Sequence, residues 1–264
     1  QPQGPALGVD IGASTTKIVL LRRGRCVKTM QKPDDMTLEQ ALEEFGTAGI
    51  KRIALTGVGA SYITGDLCGL PTTHVDEFLS VARGAARLSG RHNCLVVSVG
   101  TGTSFVRVTP FRAWHLGGTG VGGGMLEGMG EKFCGAKDMN ELQQMASAGD
   151  LHNVDLQLQD VCEGTIGNLL PTSTVANLKK INKDTAPADL AAGLCNLIFQ
   201  SIGVMAAFAV KKHLTRKVVL VGVITDWKVA PPILAEVAKL HKVSFTVPDN
   251  AAFATAIGAA LINQ

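Results

Sequence analysis

The chain carries almost no excess charge. Lys and Arg number 25 against 22 Asp and Glu, and no basic block runs longer than two or three residues. Nucleic acid is thereby disfavoured as the main partner, while small anions remain open. Six cysteines (Cys26, Cys68, Cys94, Cys134, Cys162 and Cys195) are dispersed and form no Cys-x-x-Cys pair, so zinc ribbons and thioredoxin-like chemistry have no support. A chain of 264 residues needs no disulfide framework, and Cys94 and Cys195 sit in apolar runs that read as core. Reduced thiols and a cytoplasmic location are therefore expected. The histidines show no metal-ligand spacing, and no signal-peptide pattern opens the chain, where Gln1–Pro5 reads as a trimmed terminus. One apolar run is long: Leu190 to Val210 holds 21 residues without charge, enough to span a bilayer. Gly193, Asn196, Gln200, Ser201 and Gly203 interrupt it, and Asp189 and Lys211 bound it. It reads as a buried helix, and no membrane partner is expected. With 46% apolar and 18% charged residues the chain should fold, with core enough for one large or two medium domains.

What the chain does contain is a repeat. Leu7-Gly8-Val9-Asp10-Ile11-Gly12-Ala13-Ser14-Thr15-Thr16 is echoed by Leu95-Val96-Val97-Ser98-Val99-Gly100-Thr101-Gly102-Thr103-Ser104, at an offset of 88 residues that aligns Gly12 with Gly100 and Thr15 with Thr103. In both copies an apolar strand enters a turn of small residues and leaves it as a second strand. Such a repeat constrains the whole architecture. Two facing turns of this kind would offer backbone N–H groups and hydroxyls to a polyphosphate from both sides.

The patterning extends the repeat. Strands are expected near 6–9, 16–21, 25–30, 52–56 and 72–75, with helices at about 37–46 and 76–89 and a short helical piece near 59–65. Thr37 with Gln40 marks the first helix start. The second half predicts strands near 94–99, 103–109, 111–116, 217–222 and 243–247. Its helices are expected after Gly124, at 230–240 and at 251–263, with extra helical material over about 135–213. Each half thus reads β-β-β-α-β-α-β-α. The fold expected is α/β, two similar domains with a cleft between them, residues 1–91 and 92–264, the C-terminal helix crossing back.

Three segments carry candidate chemistry. In Asp10–Lys17, Gly12 permits a tight turn, Ser14, Thr15 and Thr16 supply hydroxyls, and Lys17 adds a cation. Asp10, at a strand end, suits Mg2+ held through water. An ordinary hairpin turn is the plainer reading of this segment taken alone. Gly117–Gly124 holds six glycines in eight residues before an apolar helix pattern (Met125, Leu126, Met129), which suits an anion loop. It is no Walker loop, because no Gly-Lys-Ser/Thr follows, and no Rossmann fingerprint, because its strand reads as antiparallel and no acidic residue stands about 20 residues on in a βαβ context. Glu77 lies where a strand turns into a helix. It either accepts a hydroxyl proton during phosphoryl transfer or, with Asp76, only favours the helix N-terminus, and spacing leaves both open.

These residues resemble the actin-like ATPase and sugar kinase superfamily and, within it, the type II pantothenate kinases. The resemblance runs over nearly the whole chain and rests on Asp10–Lys17, Thr56–Ala60, Val75–Phe78, Val99–Ser104, Gly117–Met125, Ala148–Asp150, Val221–Gly222 and Ala252–Ala259. It implies ribonuclease H-like halves and ATP-dependent phosphorylation of the primary hydroxyl of pantothenate, the entry step to coenzyme A, with ATP and Mg2+. It implies that Glu77 is the general base. It implies that Asp10, Ile11, Gly12, Ala13, Ser14, Thr15, Thr16 and Lys17 contact the ATP phosphates, together with Thr101, Gly122, Gly123, Gly124, Met125, Leu126 and Glu127. Met139 and Val223 fall near the family's nucleoside contacts, and Thr101 and Ser104 match hydroxyls that touch pantothenate. Val175 and Ala176 match a substrate wall supplied by a partner subunit, which implies a homodimer, with helices near 187–213 contributing to it.

The chain also departs from that family. Where the family has an arginine beside the substrate, two residues before the glycine run, this chain has His115. Arg112 lies three residues earlier, an odd offset that turns it to the opposite face of a strand. Val58 replaces a family glycine, and Val223 replaces a small or polar residue. These departures keep two alternatives in view: a kinase of another small alcohol, pantetheine-like or a sugar, and a nucleotide-binding dimer without catalysis. Glu77 and Lys17 favour catalysis. An activator of radical dehydratases would need cysteines placed to share an iron–sulfur cluster, and the dispersed cysteines offer no clear pair.

Overall fold

The structure, a computed structural model, describes residues 4–164, 166–213 and 215–262. The first half runs β1 (Ala6–Ile11), β2 (Thr16–Arg22), β3 (Arg25–Gln31), α1 (Leu38–Phe45), β4 (Arg52–Thr56), β5 (Thr72–His74) and α2 (Glu77–Ser89). β1 lies between an antiparallel β2 and a parallel β4, giving a five-stranded sheet of order β3-β2-β1-β4-β5. Alternation explains which face goes where. Leu7, Val9, Ile18, Leu20, Ile53 and Leu55 point to one face, where Leu42 and Phe45 of α1 cover them. α1 opens at Thr37, whose hydroxyl accepts from Gln40 N while the Gln40 side chain accepts from Thr37 N, the reciprocal cap expected from the sequence.

The second half begins β6 (Cys94–Val99), β7 (Thr103–Val108), β8 (Ala113–Thr119), α3 (Gly123–Met129) and α4 (Met139–Ala148). There follow β9 (Leu156–Gln157), β10 (Thr174–Ala176), α5 (Pro187–Lys212), β11 (Lys217–Val221), α6 (Ala230–His241), β12 (Ser244–Thr246) and α7 (Ala254–Leu261). Its main sheet has the order β12-β11-β6-β7-β8, with β6 antiparallel to β7 and parallel to β11. This is the order of the first sheet strand for strand, so the expected duplication is present.

By compactness the chain forms two units. One runs to Gly118 and takes in Val218–Thr225 and the chain from Thr246 onward. Within it, α7 covers the second face of the first sheet through Ala256, Ile257 and Ala260 against Val19 and Leu21, and α2 covers the second sheet through Val81, Ala82 and Ala85 against Val96, Val106 and Val219. The Arg52 guanidinium donates to Ala260 O at 2.9 Å, which places the C-terminal helix back on the first half, as expected. α2 and α7 touch backbone to backbone. A Cβ at Gly84 would lie 1.7 Å from Ala254 O, and one at Gly258 would lie 1.7 Å from Ser80 O.

The other unit, Thr119–Lys217 and Asp226–Phe245, holds α3 to α6. α4 and α6 both pack on α5. Asp155 is fully buried and accepts from Leu178 N (2.8 Å), Thr174 Oγ1 (3.0 Å) and Asn196 Nδ2 (2.7 Å), tying the β10 segment to α5. α5 is long and apolar enough to cross a membrane by length and composition, and 61% of its most apolar window is buried.

The structure differs from the sequence expectations in four places. The turn between β6 and β7 has three residues where that between β1 and β2 has four, so Thr103 corresponds to Thr16, and Ser104 to Lys17; the offset of 88 holds only up to the turn. Residues 135–213 are not wholly helical, because β9 and β10 form a small antiparallel pair, too short to show alternation in sequence. Gly117–Thr119 continues β8, so the glycine run starts as strand. The helix expected over 251–263 begins as a 3-10 turn at Ala251–Phe253, and its last residue, Asn263, lies outside the described residues, as do Gln1–Gln3 of the expected trimmed terminus.

Candidate active site

The first turn closes with Gly12 N donating to Thr15 O at 2.9 Å, and its echo closes with Gly100 N donating to Gly102 O at 2.8 Å. The two turns meet: Ser14 Oγ and Thr101 Oγ1 are 2.8 Å apart. Both side chains are exposed, as is Ala13, while Ile11, Gly12 and Thr15 are half-buried and Thr16 and Lys17 are buried. Lys17 Nζ donates to Thr15 Oγ1 at 2.9 Å, which aims its charge at the turn. Hydroxyls from both halves of the repeat are thus gathered at one place.

Asp10 sits opposite Lys17 on β2 and opposite Thr56 on β4, so the three side chains share one face of the sheet, the face that α7 covers further along. Asp10 is buried, and its carboxyl is raised to about 6, first by burial, with Lys17 pulling it down and Glu77 pushing it up. Gly57 makes room: a Cβ there would fall 2.6 Å from Asp10 Oδ1, and its φ of 92° suits glycine.

Asp76 and Glu77 divide the two roles that the sequence left open. Asp76 caps α2, accepting from Leu79 N at 2.7 Å. Glu77, the first residue of α2, is half-buried and makes no side-chain hydrogen bond or ion pair among the described residues. Its carboxyl is raised by burial and then by Asp76, while His115 opposes the rise. A free carboxylate with raised proton affinity suits a general base. His115, exposed on β8, stacks on Phe78. Arg112 does not stand in for it, since its guanidinium lies over the Trp114 ring at 4.4 Å.

Of the remaining residues singled out by sequence, Ser104 lies opposite Ser98 on the second sheet, and Val223 opens a 3-10 turn after Gly222, half-buried. Gly122 to Glu127 lie in the second unit at the start of α3, with Gly122 and Leu126 buried, Gly123, Gly124 and Met125 half-buried and Glu127 exposed. Met139 opens α4. Val175 is exposed and Ala176 half-buried on β10. Thr56 and Phe78, which the sequence placed inside resemblance motifs without a role of their own, gain one here. Only Thr56 left a trace, as a polar residue ending an apolar strand.

Duplicated five-stranded sheets whose hydroxyl-rich turns meet define the actin-like ATPase fold. Solved structures agree. The activator of the 2-hydroxyisocaproyl-CoA dehydratase from Clostridium difficile, with bound ADPNP, superposes with a TM-score of 0.68 at 18% identity, covering 97% of this chain and 93% of that one. The ROK hexokinase from Thermus thermophilus gives 0.57 at 17% identity, covering 97% of each. Among curated relatives, a type II pantothenate kinase of Staphylococcus haemolyticus is 27% identical over 271 residues, covering 97% of this chain and 99% of the relative. Residues 80–235 match the Fumble family, and the chain belongs to it.

Proposed function

We propose that this chain transfers the terminal phosphoryl group of ATP to the primary hydroxyl of pantothenate, giving 4'-phosphopantothenate and ADP. Family membership and full-length similarity to type II pantothenate kinases support the activity. The structural observation that carries the chemistry is Glu77, a half-buried carboxylate that makes no hydrogen bond or ion pair among the described residues and whose charge is felt by Asp10 at the first turn. Glu77 takes the hydroxyl proton as the alcohol oxygen bonds to phosphorus and the bond from phosphorus to the departing ADP oxygen breaks. Lys17 and the hydroxyls of Ser14, Thr15 and Thr101 bind phosphate oxygens and stabilise the charge that develops there.

Mg2+ fits the first turn. Asp10 is a buried carboxylate, and the Thr56 hydroxyl in the same row is buried without a hydrogen-bonding partner among the described residues. Bound with the nucleotide, a divalent cation would neutralise phosphate charge, with Asp10 holding it through water. Gly122–Glu127, Met139 and Val223 complete the nucleotide contacts in this reading, and Thr101, Ser104 and His115 face pantothenate. Val175 and Ala176 serve the partner subunit of a cytoplasmic homodimer.

The test is ADP release with Mg-ATP in the presence of pantothenate, pantetheine or a panel of hexoses. Pantothenate-dependent release is expected. Release with another alcohol alone keeps the mechanism and moves the substrate. Nucleotide binding without any stimulated release refutes catalysis.

A further inference from the structure

The duplication supplies an internal comparison for the row that holds Asp10. In the first sheet the row is Lys17, Asp10 and Thr56. In the second sheet the corresponding row is Ser104, Ser98 and Val221. Thr56 and Val221 occupy equivalent places. Each ends its strand, each is 1% exposed, and each precedes a glycine at positive φ, Gly57 and Gly222. A Cβ on either glycine would strike the carbonyl of the last residue of the central strand, Ile11 or Val99.

The second copy therefore shows that this corner of the fold accepts valine, a side chain of the same branched shape without the hydroxyl. In the first copy the hydroxyl is present, buried, and without a hydrogen-bonding partner among the described residues. An unpartnered buried hydroxyl costs stability, so packing alone does not call for one. Beside it lies the Asp10 carboxylate, buried and likewise accepting no hydrogen bond among the described residues. A donor and an anionic acceptor that share a face and do not bond one another are both satisfied by one water. Mg2+ characteristically keeps several of its waters and is held through them.

We propose that Thr56 Oγ1 and the Asp10 carboxylate together hold a water of the hydration shell of the divalent cation that accompanies the nucleotide. Thr56 is a positioning residue: it touches neither nucleotide nor alcohol, and it acts through the water it fixes. The inference rests on the kinase reading and is independent of which alcohol is phosphorylated.

The experiment titrates Mn2+ into the protein with saturating ADP, following the signal of free Mn2+ by electron paramagnetic resonance, for wild type, Thr56→Val and Thr56→Ser. Thr56→Val is expected to bind ADP alone as wild type does, to hold Mn2+ about tenfold more weakly in the ADP complex, and to unfold at the same or a higher temperature when ligand-free. Thr56→Ser is expected to keep most of the Mn2+ affinity. Unchanged Mn2+ affinity in Thr56→Val overturns the proposal. Equal weakening in both variants also overturns it, because the effect then belongs to the lost methyl packing. Wild-type protein that holds no Mn2+ with ADP present overturns the nucleotide reading itself, which separates that failure from a failure of Thr56 alone.

Discussion

The His115 imidazole stacks on the Phe78 ring, with centroids 4.0 Å apart and planes 11° from parallel. Phe78 follows Glu77 in the first turn of α2, so the stack joins β8 to the turn that carries the free carboxylate. The same histidine opposes the rise in Glu77 proton affinity caused by burial and by Asp76. One side chain thus both packs against the start of α2 and tunes the Glu77 carboxyl.

Replacing Glu77 by Gln keeps the shape and the helix start, which Asp76 caps, and removes only the proton acceptor. Pantothenate-dependent ADP release is expected to fall by about 10²- to 10⁴-fold, while ADP affinity measured by calorimetry stays unchanged. Retained turnover would sink the assignment of Glu77 as base.

His115→Arg is expected to raise pantothenate turnover. A guanidinium can lie flat on Phe78 as the imidazole does, and it adds a permanently charged fork for the substrate carboxylate. A gain seen mainly in KM would place the effect in binding. An unchanged or lower kcat/KM would show that the imidazole is the better partner of Phe78 and Glu77.

The proton affinity of Asp10 fixes the sign of a pH effect on the ligand-free protein. Its carboxyl is raised from 3.8 to about 6, chiefly by burial. The folded state therefore binds this proton more tightly than the unfolded state does. Its stabilising contribution is complete below about pH 4 and is lost as pH rises through about 6, at a cost of roughly 3 kcal/mol. Asp10→Asn is accordingly expected to be more stable than wild type at pH 8 by up to about 3 kcal/mol, with the advantage gone near pH 3.5. Urea unfolding of both proteins across this range checks it, and a difference independent of pH contradicts it. If Glu77 is the base, its raised proton affinity is expected to place the acid limb of kcat/KM above the ordinary glutamate value of 4.5, which a pH–rate profile checks.

Much of this architecture is legible in the chain because the repeat is local and apolar. Val9–Gly12 and Val97–Gly100 announce two strand-turn units, and the meeting of Ser14 with Thr101 follows from them. The one-residue difference between the turns is hidden, since Thr-Thr and Thr-Ser align by type at the wrong offset. The β9–β10 pair is hidden because two- and three-residue strands carry no period. The roles of Thr56 and Phe78 are hidden for another reason: they lie in a hydroxyl without a hydrogen-bonding partner among the described residues and in a ring from a distant strand, which only the folded chain reveals.

The contact between α2 and α7 is likewise unreadable, because Gly84 and Gly258 sit in helical patterns where glycine only lowers propensity. In the structure a Cβ at Gly84 would stand 1.7 Å from Ala254 O and 2.6 Å from Ala254 C, backbone atoms that cannot turn aside. The helices would have to part, and each covers one of the two sheets, so both cores would loosen together. Gly84→Ala is therefore expected to cost about 3 kcal/mol or more, the upper end for overpacking, and to lower the unfolding midpoint in urea. Gly128→Ala is the matched control. It also lies in a helix, α3, but nothing stands within 4 Å of its Cβ position. There alanine should stabilise by about 0.5–1 kcal/mol through helix propensity alone. Similar losses at both positions would show that the close crossing of α2 and α7 is not what holds the two sheets together.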